Sequence, residues 1–141
     1  MGKRPTYPVE EPMPDNPSTR AWVARLIREY AHDQAQVIAR SISERDFQQT
    51  VKSVAQAYGW RPYHTLHSKG SDKGFPDLVM LKEQPNGTCR LLVWELKAEQ
   101  GKVTEAQAEW LRLFALVPGV QAAIMRPSQL EELTAILKEE P

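Results

Sequence analysis

Cysteine is nearly absent from this chain: Cys89 is the single one in 141 residues. One thiol closes no internal disulfide and leaves no cysteine-built zinc site, which suits a reducing cytoplasm. Net charge is missing too, with 18 basic residues against 18 acidic, so the chain as a whole is no magnet for polyanions. No apolar run approaches the ~20 residues of a membrane span. No hydrophobic segment follows Met1-Gly2-Lys3-Arg4, so neither a membrane partner nor secretion is expected. Internal repeats are absent as well. What remains, 41% apolar residues over this length, suits one domain around one ordinary core.

Charge is present but unevenly placed. From Arg61 to Lys102 there are seven basic residues (Arg61, Lys69, Lys73, Lys82, Arg90, Lys97, Lys102) and five acidic ones (Asp72, Asp77, Glu83, Glu95, Glu99). A cation held by Asp77 and Glu95 would leave this segment distinctly positive. Lys69, Lys73, Lys82 and Lys102 are therefore candidate contacts to a nucleic-acid backbone.

Five prolines between Pro5 and Pro17 exclude helix and sheet, so residues 1–17 read as an extended, poorly ordered arm. Trp22, Val23, Leu26, Ile27 and Tyr30 then recur at helical spacing, which predicts a helix over 18–40. It carries aromatic bulk without chemistry, as a packing or dimerisation element would. A second helix is expected from Ser41, with Phe47, Val51, Val54, Ala55 and Tyr58 on one face. Glu44 falls three residues after Ser41, where a capping box wants an acid. Trp60 to His67 reads as an aromatic strand with Pro62 near its start or on an edge. His64 and His67, three apart, would face opposite sides of that strand. They make a poor metal pair and read as packing or surface residues.

The centre of the chain is the stretch from Gly74 to Lys97. Two apolar runs flank Pro85-Asn86-Gly87, and Asn-Gly between such runs is a strong hairpin signal. Asp77 opens the first strand, while Glu95 and Lys97 lie near the end of the second. Alternation puts Glu95 and Lys97 on one face, about 6.7 Å apart, with Leu96 pointing into apolar packing. Charges at the rim of a greasy hairpin cost desolvation energy and ask for a reason. Thr104 with Gln107 then offers a capping box for a third helix, which Pro118-Gly119 ends. Val120 to Met125 reads as a last strand, and Ser128 with Glu131 as the cap of a last helix. Helix, helix, three strands, helix, strand, helix predicts a mixed α/β sheet flanked by helices.

Acids converging at one sheet edge beside a lysine suit metal-assisted hydrolysis of a phosphodiester. Oxygen ligands from Asp77 and Glu95, with the backbone carbonyl of Leu96 as a third, suit Mg²⁺ or Mn²⁺ better than zinc. Lys97 is placed to position a water or to meet charge developing on phosphate. A cross-strand ion pair is the plainer account of Glu95 and Lys97, and a cap the plainer account of Glu44.

Together, Gly74-Phe75-Pro76-Asp77, Glu95-Leu96-Lys97 and Thr104-x-x-Gln107-x-x-Trp110 resemble the PD-(D/E)xK nuclease superfamily, and within it the small VRR-NUC nucleases, including stand-alone phage-type members. The resemblance covers about residues 41–138. It implies a restriction-endonuclease-like fold with an extra N-terminal helix, and a nuclease domain over 41–141. Ser43-Glu44-Arg45-Asp46-Phe47-Gln48 matches the family's acidic helix, so Glu44 would be an outer metal ligand or would hold a metal-bound water. Gln107 matches a helix glutamine that supports Lys97 or the substrate phosphate. Similar proteins are Mg²⁺- or Mn²⁺-dependent endonucleases on DNA, and stand-alone members are implicated in cutting Holliday junctions as homodimers. The expectation is a cytoplasmic enzyme, acting in the host cell if phage-encoded. The alternatives are a nicking, flap or duplex-specific nuclease of the same chemistry, a non-catalytic nucleic-acid-binding module, or an interaction protein whose acids only cap and pair.

Overall fold

The computed structural model describes residues 16–65 and 70–139. The expected arm over 1–17 lies almost wholly outside them, as do His67 and Lys69. The chain divides into two units after Gln34. Helix α1 (Pro17–Ser41) runs through the division. In the first unit its apolar residues Trp22, Leu26, Ile27 and Tyr30 are exposed. In the second unit its last turns bury Ala39 and bring Ile42 against the core.

The second unit follows the predicted order: α2 (Glu44–Ala57), β1 (Arg61–His64), β2 (Leu78–Glu83), β3 (Cys89–Leu96), α3 (Glu105–Ala115), β4 (Val120–Met125), a 3₁₀ turn (Pro127–Gln129) and α4 (Leu130–Lys138). The four strands form one mixed sheet in the order β1-β2-β3-β4. The first three are antiparallel, and β4 joins β3 in parallel through the α3 crossover. The hairpin turns where Asn-Gly predicts, with Gly87 at φ +79° and its N–H donating to the Gln84 carbonyl at 3.0 Å.

Alternation sorts the two faces of the sheet. Leu78, Met80, Leu92, Trp94, Leu96 and Met125 join Phe47, Val51 and Ala55 of α2 and Leu133 and Leu137 of α4 in one apolar cluster. Burial of each such side chain stabilises the fold by about 1.5–3 kcal/mol. Val93 and Glu95 point to the other face, where α3 packs with Leu111 buried. Trp60 joins the first cluster and donates from Nε1 to the Leu137 carbonyl at 2.8 Å, tying the end of α2 to α4.

Three local expectations are corrected. Ser41 does not cap α2, because α1 extends through Ser41 and its hydroxyl donates to the Ile38 carbonyl at 2.6 Å. The cap is Ser43, accepting from the Asp46 N–H at 3.1 Å, so Glu44 is the first helical residue and no capping-box acid. The strand after Trp60 ends at His64. Ser128 does not cap α4, because it lies inside the 3₁₀ turn, where its N–H meets Glu99 Oε2 at 3.0 Å.

Candidate active site

The site forms where β2 begins and β3 ends. Gly74 has φ +84°, and a Cβ on it would stand 2.7 Å from both Ala106 Cβ and the Gln107 backbone nitrogen. Only glycine lets the chain pass so close to the first turn of α3. Phe75 then packs edge-on against Trp110 and Phe114, with ring centroids 5.1 and 6.0 Å away. Trp110 Nε1 donates to the Lys73 carbonyl at 3.1 Å. With Pro76 buried and the Thr65 N–H donating to the Asp77 carbonyl at 3.0 Å, this fixes where Asp77 enters the sheet.

Asp77 and Glu95 lock to each other through backbone amides. Asp77 Oδ2 accepts from the Leu96 N–H at 3.0 Å, and the Asp77 N–H donates to Glu95 Oε2 at 3.3 Å. Glu95 is 1% exposed. Its other oxygen, Oε1, accepts from Gln107 Nε2 at 2.7 Å and faces Lys97 Nζ at 3.4 Å. Lys97 Nζ also stands 3.7 Å from Glu44 Oε1, so one ammonium joins the acid of α2 to the acid of β3. Burial, and then the negative charge of Asp77, raise the Glu95 carboxyl to about 7; Lys97 opposes that rise without cancelling it.

Gln107 forms the expected cap, and its Nε2, expected toward Lys97 or a substrate phosphate, reaches Glu95 instead. Its Oε1 accepts from the Thr104 N–H at 2.9 Å and its backbone N–H donates to Thr104 Oγ1 at 3.2 Å, closing a capping box. Its Nε2 remains for Glu95. The helix cap thereby orients the side chain that holds the acid.

Lys97 is held from behind. Its N–H donates to the Met125 carbonyl at 3.1 Å, one step beyond the end of β3. Arg126, one residue past β4, donates from Nη1 to the carbonyls of Ala98, Glu99 and Gly101 at 2.8, 3.1 and 2.8 Å. This pins the loop that leaves Lys97. Sequence reasoning missed Arg126, because its place beside Lys97 follows from the parallel pairing of β3 with β4, which the sequence does not show.

The other candidates scatter. Lys73 and Lys102 are exposed. Lys82 lies at the opposite end of β2, its Nζ 5.9 Å from the centre of the Trp60 ring, so it is not in the site. His64, read as packing or surface, instead lines a cleft of about 270 Å³ with Gln48, Thr65, Asp77 and Gln107. Among the described residues, no three His, Cys, Asp or Glu side chains close on one point that would hold an ion. Asp77 and Glu95 adjoin, and Glu44 enters through Lys97.

Buried acid, paired acid, lysine and helix glutamine thus sit together where β2 begins and β3 ends. The VRR-NUC domain model matches residues 18–129. The chain belongs to the VRR-NUC family. The match takes in nearly all of α1 and ends with the 3₁₀ turn. No curated protein and no solved structure matches the chain. As a VRR-NUC protein it carries a nuclease-type domain, with DNA as the substrate class. Among the described residues no helix is long and apolar enough to cross a membrane.

Proposed function

We propose that this VRR-NUC domain is a divalent-metal-dependent endonuclease that hydrolyses DNA phosphodiester bonds, selectively in branched DNA such as Holliday junctions, and acts as a homodimer. The observation that carries the metal dependence is the pairing of Glu95 with Asp77. Two carboxylates are packed together, and the nearly dry one, Glu95, is pushed up to about 7 by burial first and by the charge of Asp77 second. A divalent cation relieves this repulsion, and the donors are the hard oxygens that Mg²⁺ and Mn²⁺ prefer. Asp77, Glu95 and the Leu96 carbonyl would hold the ion, with Glu44 outside them through water. When bound, it supplies Lewis acidity toward a phosphoryl oxygen and a more acidic water.

The chain's own residues do the rest. Gln107 keeps Glu95 Oε1 in place, and the Leu96 amide does the same for Asp77 Oδ2. Lys97, 13% exposed along its side chain, supplies a fixed positive charge for the phosphate as its charge grows in the transition state. The support for a dimer is the exposed Trp22, Leu26, Ile27 and Tyr30 stripe of α1. A two-fold pair of sites matches the two-fold symmetry of a four-way junction.

The test is cleavage of labelled four-way junction, flap and duplex side by side with Mn²⁺, beside Asp77→Ala and Lys97→Ala. The junction should be cut preferentially by the parent, with a loss of about 10²–10³-fold, the scale of one missing electrostatic stabiliser, in either variant, while both variants still bind. Equal cutting of all three substrates would remove the branch selectivity, and an undiminished Asp77→Ala protein the metal chemistry. Sedimentation as a monomer at working concentration would count against the dimer.

A further inference from the structure

His64 ends β1 opposite Leu78, the first residue of β2. It lines the same cleft as Asp77 and Gln107, with Gln48 and Thr65 beside it. Its Nε2 is buried and has no hydrogen-bond partner among the described residues. Three of the polar groups lining the cleft are engaged elsewhere: Gln107 at both ends of its amide, Asp77 Oδ2 with Leu96, and the Thr65 hydroxyl with the Pro76 carbonyl at 3.3 Å. A buried ring nitrogen without a partner makes the free protein less stable than an apolar side chain of similar size would. Packing alone therefore gives no reason for imidazole at this position, whereas a bound ligand would.

Ser71 and Asp72 line the cleft too, and among the described residues no lysine or arginine does. Two carboxylates at its edge present acceptor oxygens, and a nucleic-acid strand brings more of them on its phosphates. Phosphate contacts set the register and orientation of a strand on a protein. We propose that His64 is a substrate-binding residue whose imidazole hydrogen-bonds a phosphate oxygen of the DNA strand lying in the cleft, beside Asp77 and Glu95. This assignment rests on the nuclease reading above. The hydrogen bond missing in the free protein is made in the complex once the imidazole turns its buried Nε2 toward the seated strand, so the same side chain weakens the empty fold and strengthens the loaded one.

The experiment compares the full-length parent with His64→Leu and His64→Gln. Thermal stability without DNA and affinity for a labelled four-way junction are both measured in EDTA, and cleavage is measured with Mn²⁺. His64→Leu should melt at or above the parent temperature yet bind the junction roughly tenfold more weakly, the scale of one hydrogen bond to a charged group. His64→Gln, which keeps an N–H donor, should recover part of that loss. A His64→Leu protein that binds as tightly as the parent overturns the assignment. So does one whose melting temperature falls together with its binding, since the imidazole would then be satisfied in the free fold. A parent that cuts with Mn²⁺ while Asp77→Ala does not keeps the nuclease reading even when His64 fails. A parent that binds no junction removes both.

Discussion

At one end of the β2–β3 hairpin Lys82 stands directly opposite Arg90; at the other, Asp77 adjoins Glu95. Each end sets like charges side by side, which by itself destabilises a sheet. The turn end resolves the conflict inside the fold. Both cations lie over the buried Trp60 ring, at 5.9 and 5.2 Å from its centre. Arg90 also reaches the Gln121 side chain at 3.3 Å and the Glu139 carbonyl at 3.2 Å. The strand-end site does not resolve it. Glu44 and Glu95 share the ammonium of Lys97, Asp77 is held by the Leu96 amide, and Glu95 is buried where charge costs most. The turn end is a finished structure, whereas the other end keeps a buried carboxyl beside a second acid, a conflict that the proposed cation would relieve.

The largest effect should come from neutralising Glu95. A carboxyl whose folded pKa is raised from 4.5 to about 7 favours folding while protonated and loses that contribution as pH climbs through 7. The metal-free parent should therefore lose stability, on the order of 3 kcal/mol, between pH 4.5 and pH 8. Glu95→Gln keeps the shape and removes the charge, so its stability should overtake the parent's at high pH. Its Mn²⁺-dependent cleavage should vanish. Urea melts of both proteins across that range, with and without Mn²⁺, check the sign. A parent whose stability rises relative to the variant from pH 5 to pH 8 without metal would mean that the site is already balanced, like the turn end.

The hairpin and its charges were legible because they violate a local pattern. An Asn-Gly turn joins two greasy strands, and Asp77, Glu95 and Lys97 interrupt that grease at its rim. Such conflicts are visible without any knowledge of tertiary neighbours. The helices and strand order followed from periodicity in the same way. His64 and Arg126 were not legible, because nothing nearby in the chain distinguishes them. Arg126 matters through carbonyls 25 to 28 positions away, and His64 through a missing partner in a cleft that folding creates. Glu44 shows a third case. Its spacing from Ser41 suggests a cap, but α1 runs through Ser41, one residue further than expected, and the cap falls to Ser43.

An intermediate effect should separate holding a helix from holding the site. Thr104→Ala removes one half of the α3 capping box and should cost about 1 kcal/mol of stability. Cleavage should stay within about twofold, because Gln107 still reaches Glu95. Gln107→Ala removes the other half of the box and the bond to a buried carboxylate together, at about 1.5–3 kcal/mol for the latter. Its kcat should fall about 10- to 100-fold if that bond matters as much in the transition state as in the fold. Matched losses of activity in the two variants would reduce Gln107 to a cap.

The smallest effect belongs to the turn end. Arg90 Nη2 lies 3.7 Å from Glu139 Oε2, and the Glu139 side chain is 64% exposed, so solvent screens the pair. Pairs of this kind contribute about 0–1 kcal/mol. The stronger ties of Arg90, to the Trp60 ring and to the Glu139 backbone carbonyl, do not use that side chain. Glu139→Ala should therefore leave the urea midpoint and the rate of junction cutting unchanged within error, at any salt concentration. A loss well beyond about 1 kcal/mol that grew as salt was lowered would mean that the Lys82–Arg90 repulsion is held in check by Glu139 and not by the ring. The turn end would then depend on an outside charge, as the strand-end site would on the proposed cation, and the contrast between the two would be one of degree.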